Sequence, residues 1–140
     1  MCKNLKKLVT IALIMLVLFP TRALGIPNEF RGCPRTKKAG ITYVITDKYQ
    51  SAMVYKCDKN RRTFTIPRYV RYRGKKYKVS AVWPETFEKV KKLKKVTIHA
   101  DLECLEDPRL FDDHSVRVVT TDRGVYKWLK KGGVNIKYKK

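Results

Sequence analysis

The sequence has 140 residues, of which 33 are Lys or Arg and 12 are Asp or Glu, so its formal net charge is +21. A chain of this length forms one domain with a modest core, which excludes a large multidomain architecture. The positive charge favours polyanionic partners or anionic surfaces, and its self-repulsion lowers the stability of the compact state.

Residues 1–25 have the features of a secretory signal peptide. A short basic stretch precedes an apolar run at 8–19, and small residues follow at Ala23 and Gly25, the pattern that a signal peptidase reads. The apolar run is shorter than the roughly 18–20 residues that span a bilayer, which favours cleavage over a membrane anchor. We therefore expect a secreted product, extracellular or periplasmic, that is soluble after cleavage.

Residues 26–40 are predicted to form an extended N-terminal arm, because they contain Pro and Gly without periodicity. Disulfides persist in the secretory compartment, and we expect Cys33 to pair with Cys57 and tie the arm to the domain. Cys104 lies in an apolar context and is expected to be buried. A Cys33–Cys104 disulfide or an intermolecular one remains the alternative, because connectivity cannot be deduced from sequence.

Two hairpins are predicted next. The runs Ile41–Thr46 and 52–57 are rich in β-branched and aromatic residues and are separated by a polar turn. We expect this hairpin to cover the open edge of the segment that follows. A second, strongly basic hairpin is expected where Tyr69–Tyr72 and 76–79 flank Arg73-Gly74-Lys75.

A repeat follows the hairpins. An apolar pattern recurs with a period of about 23 to 24 residues: Val96-Thr97-Ile98, Leu102, Leu105 and Phe111 repeat the order of Thr65-Ile66, Val70, Val82 and Phe87. A third repeat begins at residues 116–119. Such self-similarity is typical of a solenoid, whose turns bury their apolar rows against one another.

Two helices are predicted in the second half of the chain. Residues 84–93 begin with Pro and acidic residues, which favours a short helix. Residues 122–131 combine an N-cap candidate, an apolar stripe and a following Gly132-Gly133, so they are predicted to form an amphipathic capping helix. A final strand is expected at 134–138.

The first repeat resembles the BspA-type leucine-rich-repeat family. The resemblance lies in Ile66-Pro67-x-x-Val70, the insert from Tyr72 to Val79, and Val82-x-x-x-x-Phe87, and it extends over roughly residues 41–138. Later positions depart from the family pattern, at Trp83, Val90, His99, Glu106 and His114. The resemblance implies a mainly β domain at 41–140 with short helices. This would be a small leucine-rich-repeat solenoid with an N-terminal β-hairpin and a C-terminal capping helix and strand.

The sequence contains no recognisable catalytic or cofactor motif. His99, Cys104 and His114 match no standard metal-ligand spacing, and the acidic residues between Asp101 and Asp113 lack calcium-loop spacing. We therefore expect no catalytic residue, no cofactor, no bound metal and no small-molecule substrate.

The predicted polyanion-binding residues form two clusters. The hairpin cluster interleaves cations with tyrosines and consists of Arg68, Arg71, Arg73, Lys75, Lys76 and Lys78. The lysine run, of a kind that binds heparin-like or nucleic-acid polyanions, consists of Lys91, Lys92, Lys94 and Lys95. If both clusters lay on one side of the solenoid, they would form a continuous positive surface.

These features predict a secreted, non-enzymatic, monomeric interaction or adhesion module. Its expected partners are an anionic glycan, an envelope surface, extracellular nucleic acid or an acidic protein. A cationic membrane-active protein of antimicrobial type is the alternative, and it would need an exposed amphipathic surface, for which the helix containing Val125 and Leu129 is the candidate. A small secreted hydrolase using the acidic segment is a third hypothesis.

Overall fold

The computed structural model describes residues 30–103, 111 and 115–140. One compact unit spans Gly32–Lys140. The predicted signal peptide and Cys104 lie outside the described residues. Within the described part, no helix is long and apolar enough to cross a membrane.

The described unit is mainly β. Its elements, in chain order, are β1 (Arg35–Lys38), β2 (Ile41–Thr46), a 3₁₀ turn (Asp47–Tyr49), β3 (Ser51–Cys57), β4 (Thr63–Ile66), β5 (Tyr69–Tyr72), β6 (Lys75–Val82), β7 (Lys95–Ile98), β8 (Arg117–Thr120), α1 (Arg123–Lys131) and β9 (Ile136–Tyr138).

The predicted first hairpin forms the centre of a five-stranded sheet with the order β1-β2-β3-β6-β5. Its second strand pairs in parallel with β6, with Ala52 opposite Val79. The first hairpin therefore covers one edge of the inserted hairpin, at β6, whereas β4 remains an edge strand of the second sheet; the prediction that it covers the edge of the first repeat holds only at β6.

The N-terminal arm is not an extended linker along its whole length. Its second half forms β1, which pairs antiparallel with β2 from Arg35↔Val44 to Lys38↔Ile41. β1 is an edge strand in which only Thr36 is half-buried. An edge strand with so little burial has no apolar alternation, so the sequence pattern could not reveal it.

The register of this sheet does not bring Cys33 and Cys57 together, contrary to the predicted disulfide. Pro34, next to Cys33, accepts a hydrogen bond from the Ile45 amide at 2.9 Å, whereas Cys57 pairs with Ile41. The distance from Ile41 to Ile45 along a strand is about 13 Å, and a disulfide needs Cα atoms within about 7 Å. Cys57 is instead a buried thiol, 3% exposed.

The second predicted hairpin is confirmed. β5 and β6 pair antiparallel, with Arg71 opposite Lys76 and Tyr72 opposite Lys75. The two turn residues Arg73 and Gly74 both have positive φ, 47° and 77°, as a two-residue hairpin turn of type I′ requires.

The predicted solenoid is confirmed in the second sheet, whose four strands β4-β7-β8-β9 are all parallel. The register stacks inward-facing residues of successive turns in rows. One row contains Phe64, Val96, Val118 and Ile136, and the next contains Ile66, Ile98, Thr120 and Tyr138. Each row buries its apolar surface against the neighbouring turns, as a repeat protein requires.

The segment 84–93 forms successive tight turns rather than the predicted helix. Its hydrogen bonds join residues three apart, from the amides of Thr86, Val90 and Leu93 to Trp83, Phe87 and Val90. This spacing directs Phe87, Val90 and Leu93 into the core. The ring of Phe87 lies 6.1 Å from Phe64 and 5.3 Å from Phe111, so core packing selects these turns over a regular helix.

The C-terminal cap forms as predicted. The Asp122 carboxylate accepts a hydrogen bond from the Val125 amide at 2.8 Å and caps α1. Val125 and Leu129 are buried, at 3% and 0% exposure, and β9 then pairs with β8. Because the apolar side of α1 packs into the core, this helix does not supply the exposed amphipathic surface that a membrane-active protein needs.

The parallel rows predict the effect of a core truncation. Ile98→Ala should lower the free energy of unfolding by about 2–5 kcal/mol, because a fully buried side chain leaves a cavity. Its outward-facing neighbour provides the control, since Thr97→Ala should cost less than about 1 kcal/mol. Urea denaturation measures both values, and equal losses would contradict the assigned faces of β7.

The burial of Cys57 predicts its chemical reactivity. Burial, together with the charge of Asp58, raises the pKa of the Cys57 thiol to about 12. At pH 8 iodoacetamide should therefore label Cys57 in the folded protein about three orders of magnitude more slowly than in urea. Mass spectrometry of a labelling time course tests this. A Cys33–Cys57 cross-linked peptide under non-reducing conditions would contradict the register.

Candidate polyanion-binding surfaces

The hairpin cluster presents most of its cations to solvent. Arg71 and Lys76 are exposed and face each other across the hairpin. The Lys76 ammonium lies 4.1 Å from the centroid of the Tyr69 ring, which is 43% exposed. Tyr72 and Tyr77, by contrast, pack on or within the core, because alternate residues of a strand face opposite sides.

Lys78 differs from the other predicted binding residues because two carboxylates neutralise it. Its Nζ lies 2.6 Å from Glu103 and 3.3 Å from Asp101. Hydrogen bonding to Glu103 raises the pKa of Lys78 despite its partial desolvation. The Glu103 amide also donates to the Ser80 carbonyl at 3.0 Å. Lys78 thus connects the first repeat to the following turn of the solenoid, and its charge is already paired with two carboxylates.

The hairpin is held to the preceding turn by Tyr77. Its hydroxyl donates a hydrogen bond of 2.5 Å to Asp47 Oδ1, and the Lys78 amide donates to the Gln50 carbonyl at 3.1 Å. The hydrogen bond to Asp47 and, to a smaller degree, burial raise the pKa of Tyr77.

The lysine run lies where the chain enters the second sheet. Val90 and Leu93 are buried, which leaves all four lysines of the run exposed. The amides of Lys94 and Lys95 both donate to the Arg62 carbonyl, at 2.8 and 3.2 Å, and the Arg117 amide donates to the Lys94 carbonyl at 2.9 Å. Three successive turns of the solenoid, which begin at β4, β7 and β8, therefore place basic residues side by side.

We name this region the strand-entry surface; it comprises Arg62, Lys91, Lys92, Lys94, Lys95 and Arg117. Arg62 and Arg117 lie outside the two clusters predicted from the sequence, because Arg62 ends the polar turn before β4 and Arg117 stands alone between Val116 and Val118. Aligning the repeats on their inward residues would have found Arg117, which precedes Val118 as Lys95 precedes Val96.

The strand-entry surface concentrates positive charge, and none of the ion pairs found among the described residues involves it. Lys95 and Arg117 lie opposite each other on adjacent parallel strands, whose backbones are about 4.8 Å apart. Like charges in this position repel. The ion pairs of the described residues involve Lys37 and Lys78 instead. An anionic ligand would therefore relieve repulsion as well as form new contacts.

The two predicted clusters do not form one continuous surface. Lys95 pairs with Thr63 at the beginning of β4, whereas Arg68 follows Ile66, at the end of β4. Five residues of extended chain correspond to about 16 Å. The lysine run and the hairpin cluster therefore lie toward opposite ends of the second sheet's strands.

The described residues contain no group of three or more His, Cys, Asp and Glu that could hold a metal ion. His99 is exposed, and its Nδ1 lies 3.4 Å from the Thr121 hydroxyl. Cys104 and His114 lie outside the described residues.

The fold is similar to that of a solved bacterial structure. A leucine-rich cell surface protein from Faecalibacterium prausnitzii A2-165 superposes with a TM-score of 0.52 and 21% identity, over 64% of this chain and 24% of that protein. This chain thus spans about a quarter of that protein. The likeness shows a leucine-rich-repeat fold. No family model matches the chain, and no curated protein matches it.

The raised pKa of Tyr77 predicts a pH-dependent contribution to stability. The protonated phenol is favoured in the folded state, so its contribution is present below the ordinary value of 10.0 and is lost as pH rises through the folded pKa. Tyr77→Phe should therefore be less stable than wild type from pH 7 to 9, and the difference should narrow above about pH 10. Urea denaturation across pH tests this, and a difference that grows at alkaline pH would contradict it.

Proposed function

We propose that this chain is a secreted, non-enzymatic interaction module of the BspA type that acts at a cell surface by binding anionic partners. The leucine-rich-repeat fold supports the comparison with surface scaffolds. The proposed binding partners are acidic glycans, envelope surfaces, extracellular nucleic acid or acidic protein surfaces, all of which present dense negative charge.

The strand-entry surface is the observation that favours this function most. Its cations come from three turns of the solenoid and are held at the spacing of adjacent strands. Because the strand backbones already fix the spacing of these cations, binding a polymer with regularly spaced anions requires ordering of side chains but not of the backbone. The attraction is electrostatic and releases counterions, so affinity should fall steeply with salt.

The hairpin cluster is a second part of this proposal, with a smaller set of residues than the sequence predicted. Arg68, Arg71, Arg73, Lys75 and Lys76 remain exposed. Lys78 is excluded because Asp101 and Glu103 neutralise it.

The test is binding of the protein expressed from the full chain to heparin and to duplex DNA across a salt series. The variant Arg62→Gln/Lys95→Gln/Arg117→Gln removes one cation from each turn of the strand-entry surface. It should elute from heparin at lower salt, and its log–log salt slope for DNA should decrease by about 2–3, close to one per lost contact.

A matched control separates a binding surface from net charge. Lys38→Gln/Lys56→Gln/Lys127→Gln removes the same charge from exposed positions elsewhere and should change the slope by less than about 1. Equal losses in both variants would show that the charge acts only globally and would refute the strand-entry surface as the binding site.

A further inference from the structure

A shallow pocket opens between the 3₁₀ turn Asp47–Tyr49 and the beginning of β6. Its volume is about 400 Å³, and it is lined by Asp47, Gln50, Lys75, Lys76 and Tyr77. Small-molecule sites have volumes of about 300–1,000 Å³. We call it the turn pocket. No residue of the strand-entry surface lines it.

The polar groups of the turn pocket are held in place. Tyr77 donates to Oδ1 of Asp47 at 2.5 Å, so this carboxylate is fixed, and its second oxygen takes no hydrogen bond within the described residues. The Gln50 carbonyl accepts from the Lys78 amide, which fixes the turn against β6. Two cations, one carboxylate and one amide therefore meet at one small opening.

Gln50 occupies an unfavourable backbone conformation. Its φ is +46° and its ψ is 39°, in the left-handed region, which Gly or Asn adopts far more readily than Gln. An uncommon residue in a strained conformation is a reason to look for a role of its side chain. Gln50 lines the turn pocket, and its side-chain amide can both donate and accept hydrogen bonds.

Two exposed aromatic residues lie on the elements that adjoin this opening. Tyr49 and Tyr69, at 69% and 43%, are the exposed large hydrophobic residues of the described part. Tyr49 belongs to the turn itself, and Tyr69 lies on β5, on the other side of β6. Lys76 lines the pocket and also covers the Tyr69 ring at 4.1 Å. Exposed tyrosines combine an apolar face with a polar tip, which suits the apolar and hydroxylated sides of a sugar ring.

We propose that the turn pocket binds an acidic saccharide. Lys75 and Lys76 pair with the carboxylate or sulfate of the sugar, Gln50 and the second oxygen of Asp47 bind ring hydroxyls, and Tyr69 stacks on the ring. This site is separate from the strand-entry surface but shares Lys75 and Lys76 with the hairpin cluster, so the proposal rests on the proposed function and deepens it by naming an acidic saccharide as the ligand.

The test is calorimetric binding of short oligosaccharides to the protein expressed from the full chain. The probes are tetragalacturonate, a heparin-derived tetrasaccharide, neutral cellotetraose and oligothymidine. At least one acidic tetrasaccharide should bind about ten-fold more tightly than cellotetraose. Binding of tetragalacturonate alone would assign the recognised group as a carboxylate, and binding of the heparin fragment alone would assign it as a sulfate.

Variants of Tyr69 and Gln50 separate recognition from folding. Tyr69→Ala should weaken binding of the acidic saccharide about ten-fold, whereas Tyr69→Phe, which keeps the ring, should stay within about two-fold. Gln50→Gly should raise the thermal midpoint by relieving the left-handed strain and should nevertheless weaken binding. If Gln50 had only a structural role, Gln50→Gly would raise the thermal midpoint without weakening the binding of the saccharide.

The proposal is overturned if neither acidic saccharide binds, or if Tyr69→Ala and Gln50→Gly bind as wild type does. Tighter binding of oligothymidine with the same dependence on Tyr69 would identify a base-stacking platform and would also overturn it. The strand-entry variant Arg62→Gln/Lys95→Gln/Arg117→Gln should retain tetrasaccharide binding. The loss of DNA binding in this variant and the measurement of saccharide binding at the turn pocket therefore test the two surfaces separately.

Discussion

Stacking of inward-facing apolar side chains between parallel strands holds this fold together. Phe64, Val96 and Val118 form one such row, and a second row runs one pleat further along. Because the side-chain period of a strand is two, burying these rows also determines which residues face outward. The same register that closes the core therefore sets Lys95 beside Arg117.

Repulsion between the many cations lowers the stability of the folded chain. Three of the few acidic residues form ion pairs that reduce this repulsion locally. Asp101 and Glu103 neutralise Lys78 at the junction of two turns, and Asp58 pairs with Lys37 on β1. These three carboxylates thus connect elements of the fold. The cations of the strand-entry surface take part in none of these ion pairs among the described residues.

The two sheets of the domain present different chemistry to solvent. The second sheet presents neighbouring cations where its strands begin. The basic hairpin and the 3₁₀ turn beside it combine cations with exposed Tyr49 and Tyr69, Gln50 in the left-handed region and the hydrogen-bonded carboxylate of Asp47. The hairpin is an insertion between consecutive strands of the solenoid, so it adds this mixed surface without disturbing the parallel rows.

The sequence by itself determined the elements that depend on local chemistry. Both hairpins, the repeat and the capping helix follow from side-chain alternation, turn residues and capping, which neighbouring residues decide. Only the tertiary structure decided the long-range contacts. The pairing of β1, the separation of Cys33 from Cys57, the neutralisation of Lys78 and the grouping of Arg62 with Lys95 depend on strand register, and register is set by burial across distant segments rather than by local sequence.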